Sequence, residues 1–175
     1  MTDDTAPEPF TPVDENWERA LCVVAHPDDL EFGAAVRRHR PEIVVTNNFR
    51  ATWGGASLNQ ADHIAVGMAT LDAVRDAGNR WVFSDQLEQD GLEPWGGVRQ
   101  VWAAGSPEGK HAVETTATFD RGVASLEAHR AYIDGLGWEF FDPREFLEGG
   151  ARPAGTRLGV PLATSFEVFS MGWGE

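Results

Sequence analysis

His26, Asp28 and Asp29 stand together directly behind the apolar run Leu21–Ala25, within the stretch AHPDDLEFG at residues 25–33. Titratable groups at the end of a buried strand cost free energy unless something neutralises them. A metal ion, a salt bridge or water could do so. His26 and Asp29 lie three apart across a turn fixed by Pro27, so they can point to one side and offer one nitrogen and one oxygen ligand. Asp28 lies between them, poorly placed for the same ion but able to reach a water bound to it. One further ligand would complete a three-ligand catalytic site with an open water position. His63, in NQADHIAVG, is the best-placed residue for that part. Nitrogen and oxygen donors suit Zn²⁺, with Fe²⁺ or Mn²⁺ as alternatives. Such an ion brings the pKa of bound water to about 7 and polarises a carbonyl, while a neighbouring carboxylate takes the proton. The same residues have plainer readings: Asp28 or Asp29 as a helix cap, His63 as a polar first-turn residue. Spacing leaves the two readings level.

Other polar residues are weaker signals. In NNFRATWGGASLNQ (residues 47–60), Trp53 could stack on a sugar ring while Asn47, Asn48 and Arg50 meet hydroxyls. Packing of Trp53 on its own strand is the alternative. His111 starts a strand and could act as an acid, although a surface histidine is the plainer reading. His129 shares a helix face with Leu126 and Ile133 and reads as a hydrogen-bonded core histidine. Arg37–Arg40, with three arginines and His39, reads as a solvated last turn of a helix. Cys22 reads as a small core residue. No glycine-rich phosphate loop and no serine-nucleophile elbow is present.

The elements that must position these groups follow from periodicity. Ala20–Ala25 and Glu42–Thr46 are buried-type strands, and Asp29–Arg38 between them is helix-compatible, giving a short βαβ unit. A helix over Asp62–Ala77, with Ile64, Met68, Leu71 and Val74 inward, stops at Gly78. Arg80–Phe83, Val98–Ala104 and His111–Thr116 read as strands. Phe119–Leu136 reads as one amphipathic helix, with Phe119, Val123, Leu126 and Ile133 inward. A glycine-rich stretch and a last strand near Ala163–Phe169 follow. The pattern predicts an α/β fold, a three-layer Rossmann-like sandwich with a mainly parallel sheet. In such sheets ligands collect at the C-terminal strand ends, where His26–Asp29 and the Asn47–His63 loop both emerge. Residues 1–17, acidic and proline-rich, read as a disordered tail, and 18–175 as a single domain.

Composition sets the partners. Fourteen basic residues against 28 acidic ones give a net charge of −14 over 175 residues, which disfavours nucleic acid and anionic membranes. There is no apolar run of about 18 residues for a membrane span. The N-terminus lacks the apolar core of a signal peptide, and one cysteine forms no intrachain disulfide, so a cytoplasmic protein is expected.

ALCVVAHPDDLEFG resembles the opening of the PIG-L / LmbE-like N-acetylglucosamine deacetylase family, whose signature is a strand followed by AHPDD. RRHRPEIVVT, LNQADHIAVG and HAVETTATFDRGVASLEAHRAYIDGLG resemble later blocks of that family in the same order, over most of residues 17–170. The resemblance implies a zinc-dependent Rossmann-like hydrolase that removes acetyl from an amino-sugar conjugate. It implies His26, Asp29 and His63 as ligands and Asp28 as general base. Three departures stand out. Leu30 occupies the place of a frequent Glu, and Gln60 the place of a histidine that helps the oxyanion and leaving group. The chain also passes from Gly33 almost directly into VRRHRPEIVVT, where the family carries more sheet. Strands that would be central then become edges, which invites pairing with a second copy. An alternative outcome of the same departures is a metal- or sugar-binding remnant with impaired turnover.

Overall fold

The computed structural model describes residues 7–23, 32–137 and 141–172. Its described elements, in chain order, are β1 (Thr11–Pro12), β2 (Ala20–Cys22), α1 (Phe32–His39), β3 (Ile43–Asn47), α2 (Ala61–Ala77), α3 (Ser84–Glu88), β4 (Gln100–Ala104), β5 (His111–Glu114), α4 (Phe119–Glu127), α5 (Arg130–Gly135), α6 (Pro143–Leu158) and β6 (Ala163–Ser170). The class is mixed α/β with mainly parallel strand pairs, as expected. The chain forms two compact units, residues 14–109 with 166–175 and residues 1–13 with 110–165.

In the first unit β2, β3 and β4 pair in parallel, and β6 runs antiparallel beside β4. The register places Leu21, Val44, Val101 and Phe169 in one cross-strand row. Strand side chains alternate between faces, so this row shares one face. It packs with Val36 of α1 and Val66, Val74 and Ala77 of α2 in one apolar core. The adjacent row carries Trp102, only 3% exposed, against Trp17 and Phe166. β2 pairs with β3 alone among the described residues, and Cys22, expected in the core, is exposed. A strand at an edge leaves its outer residues uncovered, which is what the shortened βαβ segment foreshadowed.

α2 differs from expectation in its inward face. Val66, Gly67, Thr70, Val74 and Ala77 are buried, whereas Met68 is 49% exposed. The small residues win because this face approaches the chain closely: a Cβ on Gly67 would overlap Phe49. The expected strand at Arg80–Phe83 is a turn leading into α3, and Arg37 explains it. Its guanidinium is 2% exposed, not solvated. Nε donates to Ala77 O at 3.2 Å; Nη2 donates to the carbonyls of Asp76, Asn79 and Val82 at 3.2, 2.9 and 2.8 Å. Nη1 donates to Phe83 O at 3.1 Å and Gln86 Oε1 at 2.8 Å. Carbonyls gathered on one side chain cannot form a sheet ladder. Phe83 sits at φ 52°, a left-handed conformation unusual for an aromatic residue.

In the second unit β1 pairs with β5 in parallel, Thr11 with His111 and Pro12 with Ala112. The described part of the expected N-terminal tail thus supplies a strand, two residues long, at a position proline tolerates. The expected helix Phe119–Leu136 is two helices, broken at Ala128–His129. His129, expected in a core, is exposed, its Nδ1–H donating to Ser125 O at 2.9 Å. Phe119 and Val123 pack with Ala151 of α6, and Ala154 packs with Ala112 and Ala163. α6 falls on the stretch read as glycine-rich. Asp142 caps it, accepting from Arg144 N at 2.8 Å and Glu145 N at 3.1 Å, with Pro143 at the first helical position and Gly159 closing it at φ 82°.

Candidate active site

The site is built where β3 ends. Val44 and Ile43 are fully buried, and the strand delivers Thr46, Asn47 and Asn48 to its C-terminal end. Asn48 is 0% exposed and acts as a turn former: its Oδ1 accepts Arg50 N and its Nδ2 donates to Thr52 O, both at 2.9 Å. The loop doubles back through Gly54 and Gly55, both at positive φ, and Thr52 bridges Leu58. It then enters α2 at Gln60, which is exposed and makes no side-chain capping bond.

His63 lies in the first turn of α2, half-buried. Its ring meets the Trp53 indole edge-on at 5.7 Å between centroids and 90° between planes. Its Nδ1 lies 3.0 Å from Asn59 Oδ1, and its backbone N–H is held by Asp62 Oδ1 at 2.9 Å. Asn47 donates from Nδ2 to Asn48 O at 2.9 Å and to His63 O at 3.4 Å. Asn47 Oδ1 and Thr46 Oγ1 are buried and have no hydrogen-bond partner among the described residues.

Arg50 reaches across to β6. It makes a two-pronged contact with Glu167, including Nε to Oε2 at 3.0 Å, and a second ion pair with Glu108 at 3.0 Å. Ser106 Oγ donates to Glu167 Oε2 at 2.6 Å. Burial alone would raise the Glu167 carboxyl, but the hydrogen bonds from Arg50 and Ser106 outweigh it and hold the group below the usual carboxylate range. The same hydrogen bond raises Arg50.

The structure therefore brings Asn47, Arg50, Trp53 and His63 to one strand end, with Gln60 at the helix entrance. His26, Asp28 and Asp29 lie outside the described residues. His111 is on β5 in the other unit, half-buried, its Nδ1 without a partner among the described residues. Asn59, Ser106, Glu108 and Glu167 escaped the sequence reading, and Asn48, expected to meet hydroxyls, is instead a buried turn former. A lone acid inside the apolar strand ATSFEVFS was the available signal for Glu167. A cavity of about 370 Å³ runs along α2, lined by Phe32, Asp62, Ala65, Val66, Ala69 and Phe83; none of the expected site residues lines it.

No group of three or more His, Cys, Asp and Glu side chains able to hold a metal occurs among the described residues. Of the three residues expected to hold such an ion, His63 alone is described, an imidazole with its Nδ1 3.0 Å from Asn59 Oδ1.

No protein-family model and no curated protein matches this chain. Among solved structures, N,N'-diacetylchitobiose deacetylase from Pyrococcus horikoshii, complexed with an inhibitor, superposes with a TM-score of 0.67 at 18% identity. The match covers 81% of this chain and 50% of that one. The likeness is one of fold. A conserved protein from Thermus thermophilus superposes with a TM-score of 0.57 at 22% identity, covering 87% of this chain and 63% of that one. The chain thus spans half of the first neighbour and less than two-thirds of the second. The Rossmann-like α/β fold implied by the family resemblance is the fold it shares with the deacetylase. No helix among the described residues is long and apolar enough to cross a membrane.

Proposed function

We propose that this chain is a deacetylase-type hydrolase that removes an N-acetyl group from an amino-sugar conjugate. The observation that carries the reading is the gathering of His63, Asn47 and Trp53 at the C-terminal end of β3, in a fold shared with a chitobiose deacetylase. His26, Asp29 and His63 would hold a divalent ion, zinc by donor type, with Fe²⁺ or Mn²⁺ as alternatives. When bound, it supplies a water with a pKa near 7 and a polarised acetyl carbonyl.

The chain's own residues do the rest. Asp28 takes the proton of the attacking water. Gln60, at the solvent-facing start of α2, donates an N–H to the oxyanion that forms on the acetyl carbonyl. Trp53, 43% exposed, offers its free face to a pyranose ring. Arg50 is already paired with two carboxylates, so its work is to hold the loop against β6.

A second reading is favoured by Gln60, an amide that gives up no proton near neutral pH. On it the chain binds metal or sugar without turnover. The deciding experiment is elemental analysis after zinc reconstitution, followed by acetate release from N-acetylglucosamine conjugates. The first reading expects about one ion per chain, lost in His63→Ala, together with acetate release. Asp28→Asn should keep the metal and lose roughly 10²-fold in turnover, the contribution of a positioned base. Metal without acetate supports the second reading, and no metal refutes the hydrolase.

A further inference from the structure

We infer that Asn59 is a positioning residue that fixes the tautomer and the direction of the His63 ring. The inference deepens the proposed function and rests on it for its chemical purpose, but its structural content stands alone.

The orientation of the Asn59 amide is decided by chemistry. One terminal atom lies 2.9 Å from Asn48 O and 2.9 Å from Arg50 O. Both are carbonyl oxygens and can only accept, so that atom is the NH₂ group, with both its hydrogens used. The other terminal atom is then Oδ1. It accepts from Gln60 N at 2.9 Å and faces His63 Nδ1 at 3.0 Å. An amide oxygen cannot donate, so the proton of that contact belongs to Nδ1. Neutral His63 is thereby held as the Nδ1–H tautomer, with the lone pair on Nε2. A free histidine side chain in water prefers the opposite arrangement, with its proton on Nε2.

The support is rigid as well as specific. The Asn59 backbone N–H donates to Ala51 O at 2.9 Å, and the Asn48 carbonyl that receives Asn59 belongs to a residue wholly out of solvent. Trp53 contacts the ring edge-on, restricting its rotation. One asparagine therefore ties the end of β3, the loop turn and the His63 ring into a single unit. An imidazole with Nδ1–H held by a fixed acceptor presents a basic Nε2 outward, the form a metal ligand takes.

The test is a long-range ¹H–¹⁵N correlation spectrum of the metal-free full chain at a pH where histidines are neutral, with the His63 signals assigned by their loss in His63→Gln. The expected result is a protonated Nδ1 and an unprotonated Nε2 for His63. In Asn59→Ala the pattern should revert towards Nε2–H. An Nε2–H tautomer in the unmodified chain overturns the inference, and so does an unchanged His63 pattern in a folded Asn59→Ala. Because the unmodified chain is itself decisive, a variant that fails to fold does not shield the idea. Zinc competition on the same samples reads the function separately: a 10- to 100-fold loss of affinity is expected in Asn59→Ala, roughly the usual effect of removing such a support. A chain with the Nδ1–H tautomer and no zinc affinity would refute the hydrolase while leaving Asn59 its role.

Discussion

Replacing Arg37 by methionine keeps most of the side-chain volume and removes every donor. The guanidinium has five N–H groups. They serve the carbonyls of Asp76, Ala77, Asn79, Val82 and Phe83 and the amide oxygen of Gln86. At about 1.5–3 kcal/mol for each charged hydrogen bond, a simple sum would exceed the stability of most domains. It cannot be additive, because water reaches some of the freed carbonyls and the desolvation cost of the guanidinium disappears with it. Breaking a buried charged network typically costs about 3–5 kcal/mol, and that is the expected loss for Arg37→Met. With a urea m-value of roughly 2 kcal/mol/M, the midpoint should fall by about 1.5–2.5 M. Arg37→Lys keeps the charge but offers three donors from a single point, so it should recover no more than half of the loss. Tryptophan fluorescence is the fitting probe, since Trp17, Trp53, Trp81, Trp95 and Trp102 all lie in the unit that contains Arg37. A midpoint shift below about 0.5 M for Arg37→Met, with m unchanged, would refute the idea that this one side chain organises residues 76–86.

Glu167 is held ionised below its ordinary range, so its contribution to stability is present above the unfolded carboxyl pKa of about 4.3 and fades as pH falls through the lower folded value. The stability gap between the unmodified chain and Glu167→Gln should be flat above about pH 6, near 1 kcal/mol given the half-open Arg50, and should close in acid; a gap that widens on acidification would contradict this. Gly67→Ala should lower the melting temperature. A helix-interior alanine normally gains about 0.5–1 kcal/mol, but here the methyl overlaps Phe49 and overpacking costs about 1–3. Gln60→His should leave the melt unchanged, because the residue is exposed and makes no side-chain capping bond. It should raise kcat by up to roughly 10²-fold and add a basic limb to the pH–rate profile, since a histidine can protonate the leaving amine. An unaltered profile would place the acid elsewhere.

What the sequence made legible was local. The start of α2 at Ala61 lies one residue from its expected position, because a polar loop gives way there to a long helix-compatible run closed by Gly78. β3 was readable from a run of β-branched residues behind a proline. The failures were long-range. Nothing near Arg37 reveals that a turn some forty residues later will aim its carbonyls at it, so a basic last turn looks like a solvated one. Met68 was assigned inward by hydrophobicity, whereas the buried face carries Val66, Gly67 and Thr70, with glycine selected at 67 by the close approach of Phe49. α6 was hidden by its glycines, although Asp142–Pro143 is a cap signature that could have been read. At the site, His63, Asn47 and Trp53 were visible as types in one loop. Asn59 was not, because its importance lies in which atoms it faces, and asparagine in a loop is ordinarily only a turn former.

Both compact units are discontinuous in the chain, and this has a consequence for synthesis. β1 finds its partner only when His111 and Ala112 exist, and β4 gains its antiparallel neighbour only with Phe166–Ser170. A ribosome that has just made β4 has therefore completed neither unit. β1 then has no β5 beside it, and the β4 edge with Trp102 lies open. Such late closure means high contact order, slow folding and an exposed strand during translation. It also means that no single cut releases either unit whole. A fragment ending at Gly109 would carry His63, Asn47 and Trp53 but leave Arg50 without Glu167, its clamp at the far end of the chain.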